Sequence, residues 1–286
     1  MKNIIVPLDF SKESMNGFRV ALLFANEINA DITLVYVQIE INEFYSRADK
    51  DEYDYAKNKL DELIEKHKSK LKNGTLKYKI RKGKVSEEVV NQAKYDDSYM
   101  IIASTHGASG YEEFWIGSRA NKIIAKAKCP VLTVPNSSCA RNISKIILPI
   151  DRSQETRQKV PLAVQIAKFF NSEIHVLSLD SANTKESKKK LDAYTSQVSS
   201  FLKENNVKYI EDYLTGKNIS EMIINYAKLQ NAELIVIMTE QEIKTSNLWL
   251  GPYAQQLVNH SSIPVLSVHS ENKFIPNPVQ KTVIGM

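Results

Sequence analysis

The sequence is poor in the residues that mark special chemistry or unusual solvents. Its 286 residues include only two cysteines, two tryptophans, nine glycines and nine prolines. Cys129 and Cys139 cannot supply a disulfide framework, and no CxxC or clustered Cys/His spacing points to zinc. Cys129, beside Pro130, reads as a buried, inert thiol. The scarcity of Gly and Pro excludes collagen-like and low-complexity chains, and 43% hydrophobic with 25% charged residues is the balance of a globular protein. No stretch approaches the roughly 18 apolar residues of a membrane helix. The opening MKNIIVPLDFS has an apolar run too short for a signal peptide and an early Asp9, so a cytoplasmic chain with no membrane partner is expected. Charge of one sign is missing as well. The net charge is +5, yet residues 1–138 carry 21 basic and 19 acidic side chains and residues 139–286 carry 17 and 14. The two signs are interleaved without a phosphate-tracking stripe, so no nucleic-acid partner is expected. The run Lys188, Lys189 and Lys190 reads as a solvated helix face.

What the sequence does contain is a repeat. Residues 2–37 lie over residues 144–179 without a gap, and ten of the 36 positions are identical, among them Pro7/Pro149, Asp9/Asp151, Ser11/Ser153 and Ala21/Ala163. GKVSEEVVNQAK from Gly83 matches GKNISEMIINYAK from Gly216 with one extra residue, and CPVLTVP from Cys129 matches IPVLSVH from Ile263. Three matches in the same order indicate a tandem duplication. The expected division is a first domain at 1–137, a second at 143–270 and a tail at 271–286, which either packs on the body or frays.

Each copy alternates strands with helices. NIIVPL, residues 3–8, is a short apolar run without alternation, as in a strand covered on both faces. Asp9 ends it, Ser11 can cap the helix that follows, and Ala21, Leu22, Phe24, Ala25 and Ile28 form that helix's apolar stripe. ITLVYV at 32–37 is a second strand, and a charged helix spans about 50–70. TLKYKI at 75–80 alternates like a strand near an edge, Ser86 precedes a helix, YMIIAS ends a fourth strand at Ser104, and VLTV begins the last at Val131. The second copy places strands near 145–150, 174–179, 208–213, 233–238 and 265–268. The expected fold class is α/β: two tandem, doubly wound, five-stranded parallel-sheet domains.

Ligands of such sheets sit at the carboxyl ends of the strands, where the strand order reverses. Asp9 is at one such end. After Ser104 comes a segment holding Gly107, Gly110 and Gly117, three of the nine glycines within eleven residues. Gly117 and Ser118 stand before a helix, whose first N–H groups could hold a phosphate, and Gly107 could let the backbone approach a ligand. The pattern is neither GxxxxGK[ST] nor GxGxxG, and plain turn glycines are the competing reading.

The VPLDFS opening, the THGASG turn, the GS helix start and the CPVL strand, in this order and spacing, resemble the universal stress protein family, and residues 1 to about 270 resemble a tandem pair of its domains. The resemblance implies an adenine nucleotide alpha hydrolase-like fold, ATP or another adenine nucleotide as ligand, with Mg possible, and a regulatory role in the stress response. It also implies an adenine contact at Asp9, with Val37 lining the base or ribose pocket, a phosphate path at Gly107, Gly117 and Ser118, and Pro7, Ser104, His106 and Arg119 among the nucleotide-binding residues; for His106, in the glycine turn, a solvated turn histidine is the competing reading. Ser104 stands where ATP-binding members carry Gly; Arg119 could meet the phosphates or point to solvent. In the second copy Met238, Gln241 and Pro252 replace the motif residues, and Pro252 lacks the N–H and hydroxyl that phosphate binding uses. Nucleotide is therefore expected in the first domain only, with Asp151 a turn acceptor or a ligand contact. The resemblance further implies pairing of the last strands, VLTV with VLSV, into an internal pseudo-dimer, and allows a homodimer. No metal cluster, nucleophile set or general base is visible, so at most a slow ATPase is expected. The alternative is a protein-interaction module with vestigial pockets.

Overall fold

The computed structural model describes residues 1–38, 47–105, 118–138, 142–153, 155–239 and 252–269. The chain divides into two units, Met1–Cys139 and Ala140–Met286.

In the first unit β1 (Lys2–Pro7), β2 (Ala30–Gln38), β3 (Leu76–Lys82), β4 (Met100–Ser104) and β5 (Val131–Val134) stand in the order β3-β2-β1-β4-β5. Every pair is parallel. Parallel neighbours need crossovers, supplied here by α1 (Lys12–Ile28), α2 (Arg47–His67), α3 (Val85–Tyr95) and α4 (Ser118–Lys126). Ile4, Ile5 and Val6 are all fully buried, so both faces of β1 are covered. The alternating strand TLKYKI becomes β3, at the edge of this unit's sheet as expected.

Helix α1 shows why its sequence folds as it does. The Ser11 hydroxyl accepts the Ser14 N–H at 3.1 Å, closing the N-terminus. Phe18, Val20, Ala21, Leu22, Phe24, Ala25 and Ile28 are buried in its body. Each large apolar side chain among them contributes about 1.5–3 kcal/mol. The helix ends at Asn29, whose φ of 53° is the left-handed conformation of a C-cap. One helix starts earlier than expected. Ser86 lies inside α3, and the N-cap is Lys84, without a side-chain bond. The chain turns at Gly83, whose φ of 139° disfavours other residues, so the helix starts directly after it.

The second unit repeats the plan with β6 (Lys145–Ile150), β7 (Glu173–Asp180), β8 (Tyr209–Thr215), β9 (Leu234–Thr239) and β10 (Val265–His269), ordered β8-β7-β6-β9-β10. Its strand pairs are parallel too. Its helices are α5 (Val160–Phe170), α6 (Lys185–Glu204), α7 (Ile219–Leu229) and α8 (Pro252–His260). Lys188, Lys189 and Lys190 are exposed on α6, as a solvated face requires. The first crossover differs. Where α1 begins at Lys12, the second unit has a short 3-10 helix, Glu155–Arg157, and α5 begins only at Val160. Pro161 in the first turn explains the delay, since its ring excludes a helical residue four positions earlier and its nitrogen donates nothing.

Candidate functional site

The strand order of the first unit places a switch point between β1 and β4, because the chain leaves β1 toward β2 and β3 and returns on the other side. Pairing of Pro7 with Val35 and of Ile5 with Ile101 brings the ends of β2, β1 and β4 to one edge. Pro7, Asp9, Val37 and Ser104 are all half-buried there, while Leu8 between the first two is buried. These four predicted residues are therefore collected at adjacent strand ends.

Asp9 is held by a local network. Its backbone N–H donates to the Ser14 hydroxyl at 3.3 Å, and its Oδ1 accepts the Ser11 N–H at 3.1 Å and the Ser11 hydroxyl at 2.5 Å. One carboxylate oxygen thus orders the turn into α1. Next to it, Phe10 has a φ of 64°. Its ring stacks on Tyr36 at a centroid distance of 5.3 Å and meets Tyr55 edge-on at 6.3 Å. The Tyr36 hydroxyl donates to Glu52 Oε1 at 2.9 Å. Burial, followed by that carboxylate, raises the Tyr36 pKa well above the ordinary tyrosine value, so the ring stays neutral. This aromatic group was not anticipated from the sequence; Phe10 and Tyr36 are 26 residues apart, and only the β1–β2 pairing makes them neighbours.

Val37 lies opposite Arg81 of β3, whose Nε donates to Gln92 Oε1 at 2.9 Å. Ser104 pairs with Val134, and the Thr105 N–H continues the ladder to the Val134 carbonyl at 3.0 Å. Gly17 of α1 sits directly over this strand end: a Cβ built there would lie 3.3 Å from the Ser104 nitrogen. Ser118 is the first residue of α4, and Arg119 is exposed. His106, Gly107, Gly110 and Gly117 lie outside the described residues.

The second unit builds the same turn. Asp151 Oδ1 accepts the Ser153 N–H at 2.8 Å and its hydroxyl at 2.6 Å, and the Asp151 N–H donates to Thr156 Oγ1 at 3.1 Å. Asp151 thus serves as a turn acceptor in the same way as Asp9. Beyond it the two units part. Lys159, 2% exposed, donates through Nζ to the Thr156 carbonyl at 2.6 Å and to Thr156 Oγ1 at 3.2 Å. Burial lowers its pKa to about 8, against an opposing pull from Asp151. Asp180, at the end of β7, accepts from Ser187, Tyr213, Asn183 and Ala182. Its carboxyl is held down to about 2; desolvation opposes this, and the Ser187 and Tyr213 hydroxyls with the two backbone donors outweigh it. Met238 is buried where Ser104 stands in the first unit. Pro252 opens α8, while Gln241 is outside the described residues.

Other chemistry is sparse. Among the described residues no group of three or more His, Cys, Asp or Glu could hold a metal, and no helix is long and apolar enough to cross a membrane. Cys129 is buried and its thiol is pushed up to about 12 by that burial, which keeps it out of thiolate chemistry; Cys139 is outside the described residues.

The model of the universal stress protein family matches residues 1–135 and again residues 142–269. A curated relative, a universal stress protein of Methanocaldococcus jannaschii, is 26% identical over 139 residues, covering 46% of this chain and 81% of its own. The solved structure of a universal stress protein from Archaeoglobus fulgidus aligns over 94% of this chain and 98% of its own with a TM-score of 0.71 at 16% identity, a likeness of fold. Another universal stress protein, solved in complex with cAMP, is 22% identical over 46% of this chain and 96% of its own, with a TM-score of 0.38. Two family matches on two units of one topology lead to one conclusion: the chain belongs to the universal stress protein family and carries its domain twice in tandem.

Proposed function

We propose that the first unit binds an adenine nucleotide, ATP foremost, at the crevice between the ends of β1 and β4, and that the chain acts as a nucleotide-dependent regulatory module of the stress response. The observation that carries this reading is the cluster of half-buried Pro7, Asp9, Val37 and Ser104 at the ends of neighbouring strands, on the switch point of a parallel sheet. The donor set suits the ligand. Asp9 offers a carboxylate to an adenine amino group, Pro7 and Val37 an apolar wall to the base and ribose, and α4 opens with Ser118 and Arg119, whose first N–H groups and positive end suit phosphates. His106, Gly107 and Gly117 complete the phosphate path in this reading, and Mg²⁺, where present, would accompany the phosphates. A bound nucleotide would supply a charge-bearing ligand whose phosphate state the chain can sense; a dedicated hydrolytic base is not part of the reading.

Calorimetric titration of the full chain with ATP, ADP and AMP, with and without Mg²⁺, tests it. Saturable heat at one nucleotide per chain is expected. Gly117→Asp should abolish it by setting a carboxylate against the phosphates, and Gly251→Asp should leave it unchanged. No heat and no thermal shift at millimolar nucleotide would sink the reading. That result would favour a protein-interaction module with vestigial pockets, for which Ser104 in place of glycine is the motive.

A further inference from the structure

We infer that Glu173, His175, Tyr226 and Asp212 form a buried proton-binding site in the second unit: mild acidification adds one proton to the group, and that proton closes the contact between His175 and Glu173. The inference is independent of the nucleotide reading of the first unit. In the alignments of the two copies Thr33 stands at the position of His175 and Gln92 at that of Tyr226, so the site belongs to the copy without the phosphate motif.

His175 lies in β7, 1% exposed, and its ring stands edge-on to that of Tyr226 on α7 at a centroid distance of 5.9 Å. Strand alternation sends Ser178 and Asp180 to the other face, where they bond Thr195 and Ser187 of α6. Glu173 and His175 therefore share the face that meets α7. Three contacts link the group end to end. His175 Nε2 is 3.2 Å from Glu173 Oε1, His175 Nδ1 is 3.1 Å from the Tyr226 hydroxyl, and that hydroxyl donates to Asp212 Oδ2 on β8.

Each contact needs one hydrogen. With both carboxylates ionised and the imidazole neutral, the four groups carry only two, one on the phenol and one on the ring. One contact is then left without a hydrogen, and charge decides which. Ionised Asp212 is a stronger acceptor than a neutral ring nitrogen and takes the Tyr226 proton. The phenolic oxygen accepts from Nδ1–H, and Nε2 is left bare, its lone pair against the Glu173 carboxylate. Glu173 has a way out, because its side chain is 37% exposed and that of His175 2%; without a third proton it turns to water. A third proton, shared between Nε2 and Oε1, fills the contact and halves the net negative charge of the group, which a buried site favours. Burial pushes the His175 pKa below its ordinary 6.5, Glu173 and Asp212 pull it up, and Lys145 of β6 adds to the lowering. Burial and then Asp212 raise that of Tyr226, so the phenol keeps its proton. Uptake thus falls on the acid side of 6.5, where the unfolded chain binds the proton first, and this group's contribution to stability declines as pH drops through that window.

Nitrogen-15 NMR of the full chain labelled at histidine, with the His175 signals assigned through its backbone, reads the protonation of each ring nitrogen between about pH 5 and 8. His175 should carry Nδ1–H alone at the alkaline end and both N–H groups at the acid end, with one midpoint below 6.5. Glu173→Gln offers the bare Nε2 an amide N–H without a charge. It should keep Nδ1–H and weaken proton binding about tenfold, a fall of about one pH unit in the midpoint. Nε2–H in place of Nδ1–H at the alkaline end, a ring still neutral at the acid end, or one midpoint shared by Glu173→Gln and the wild type would each overturn the site. No nucleotide enters the experiment, so its failure and that of the nucleotide reading are separate results.

Discussion

Phe10 stands one residue past the end of the turn-forming Asp9 and has its backbone in the left-handed region at φ 64°. For an L-residue that conformation costs roughly 1–2 kcal/mol, and the stack on Tyr36 with the edge contact to Tyr55 is what offsets it. Phe10→Gly and Phe10→Ala both lose the ring, but only glycine is relieved of the backbone strain. Urea unfolding should therefore find Phe10→Gly more stable than Phe10→Ala by about 1 kcal/mol; equal stabilities would mean that the backbone there is unstrained. Lys159 makes a pH-dependent contribution of definite sign. Its ordinary value of 10.5 falls to about 8 in the folded chain. Between those values the unfolded chain holds the proton more tightly, so stability rises with pH across that window and is flat with respect to this group below it. At 1.36 kcal/mol per pH unit the full effect is on the order of 3 kcal/mol. The difference in unfolding free energy between the wild type and Lys159→Met, followed from pH 7.5 to 10, should shrink or reverse in the wild type's favour as pH rises. A constant difference would show that the ammonium is not desolvated.

At the scale of elements, the first crossover of each unit shows what sequence pattern conveys and what it leaves out. The Ser11 cap, the apolar stripe of α1, the two-sided burial of β1 and the edge position of β3 follow from local spacing, and the structure has each of them. Local spacing carries these features because each is decided within one or two turns of chain. The aligned residues before α5 looked like a second α1, yet they form a 3-10 turn and a late helix start. Pro161 was a readable signal; the packing of the 3-10 turn Glu155–Arg157 against β6 and β9 was not, because β9 lies more than 70 residues away in sequence. Hydrogen exchange should register the difference. α1 satisfies its amides from the Met15 N–H onward, which donates to the Ser11 carbonyl at 3.0 Å. Amides of residues 15–18 should exchange about tenfold or more slowly than those of 157–160; equal protection would mean that the second crossover is as helical as the first.

Over the whole molecule, the duplication was the most legible feature, and with it the family, the parallel sheets and the strand ends that collect Pro7, Asp9, Val37 and Ser104. The loss of motif residues in the second copy was legible too. Less so was the packing at Gly17 and Lys159, which carry no motif and gain meaning only when α1 is seen on β4 and Lys159 on Thr156. The matched turns at Asp9 and Asp151 have a practical consequence for dissecting the protein. In both units one carboxylate oxygen orders the start of the first crossover by accepting the N–H and the hydroxyl of the serine two residues on, so removing Asp9 perturbs folding as well as any ligand contact. The second copy supplies a comparison for that experiment: stability lost in both Asp9→Ala and Asp151→Ala reports the shared turn, whereas nucleotide affinity lost in Asp9→Ala and kept in Asp151→Ala reports the ligand contact.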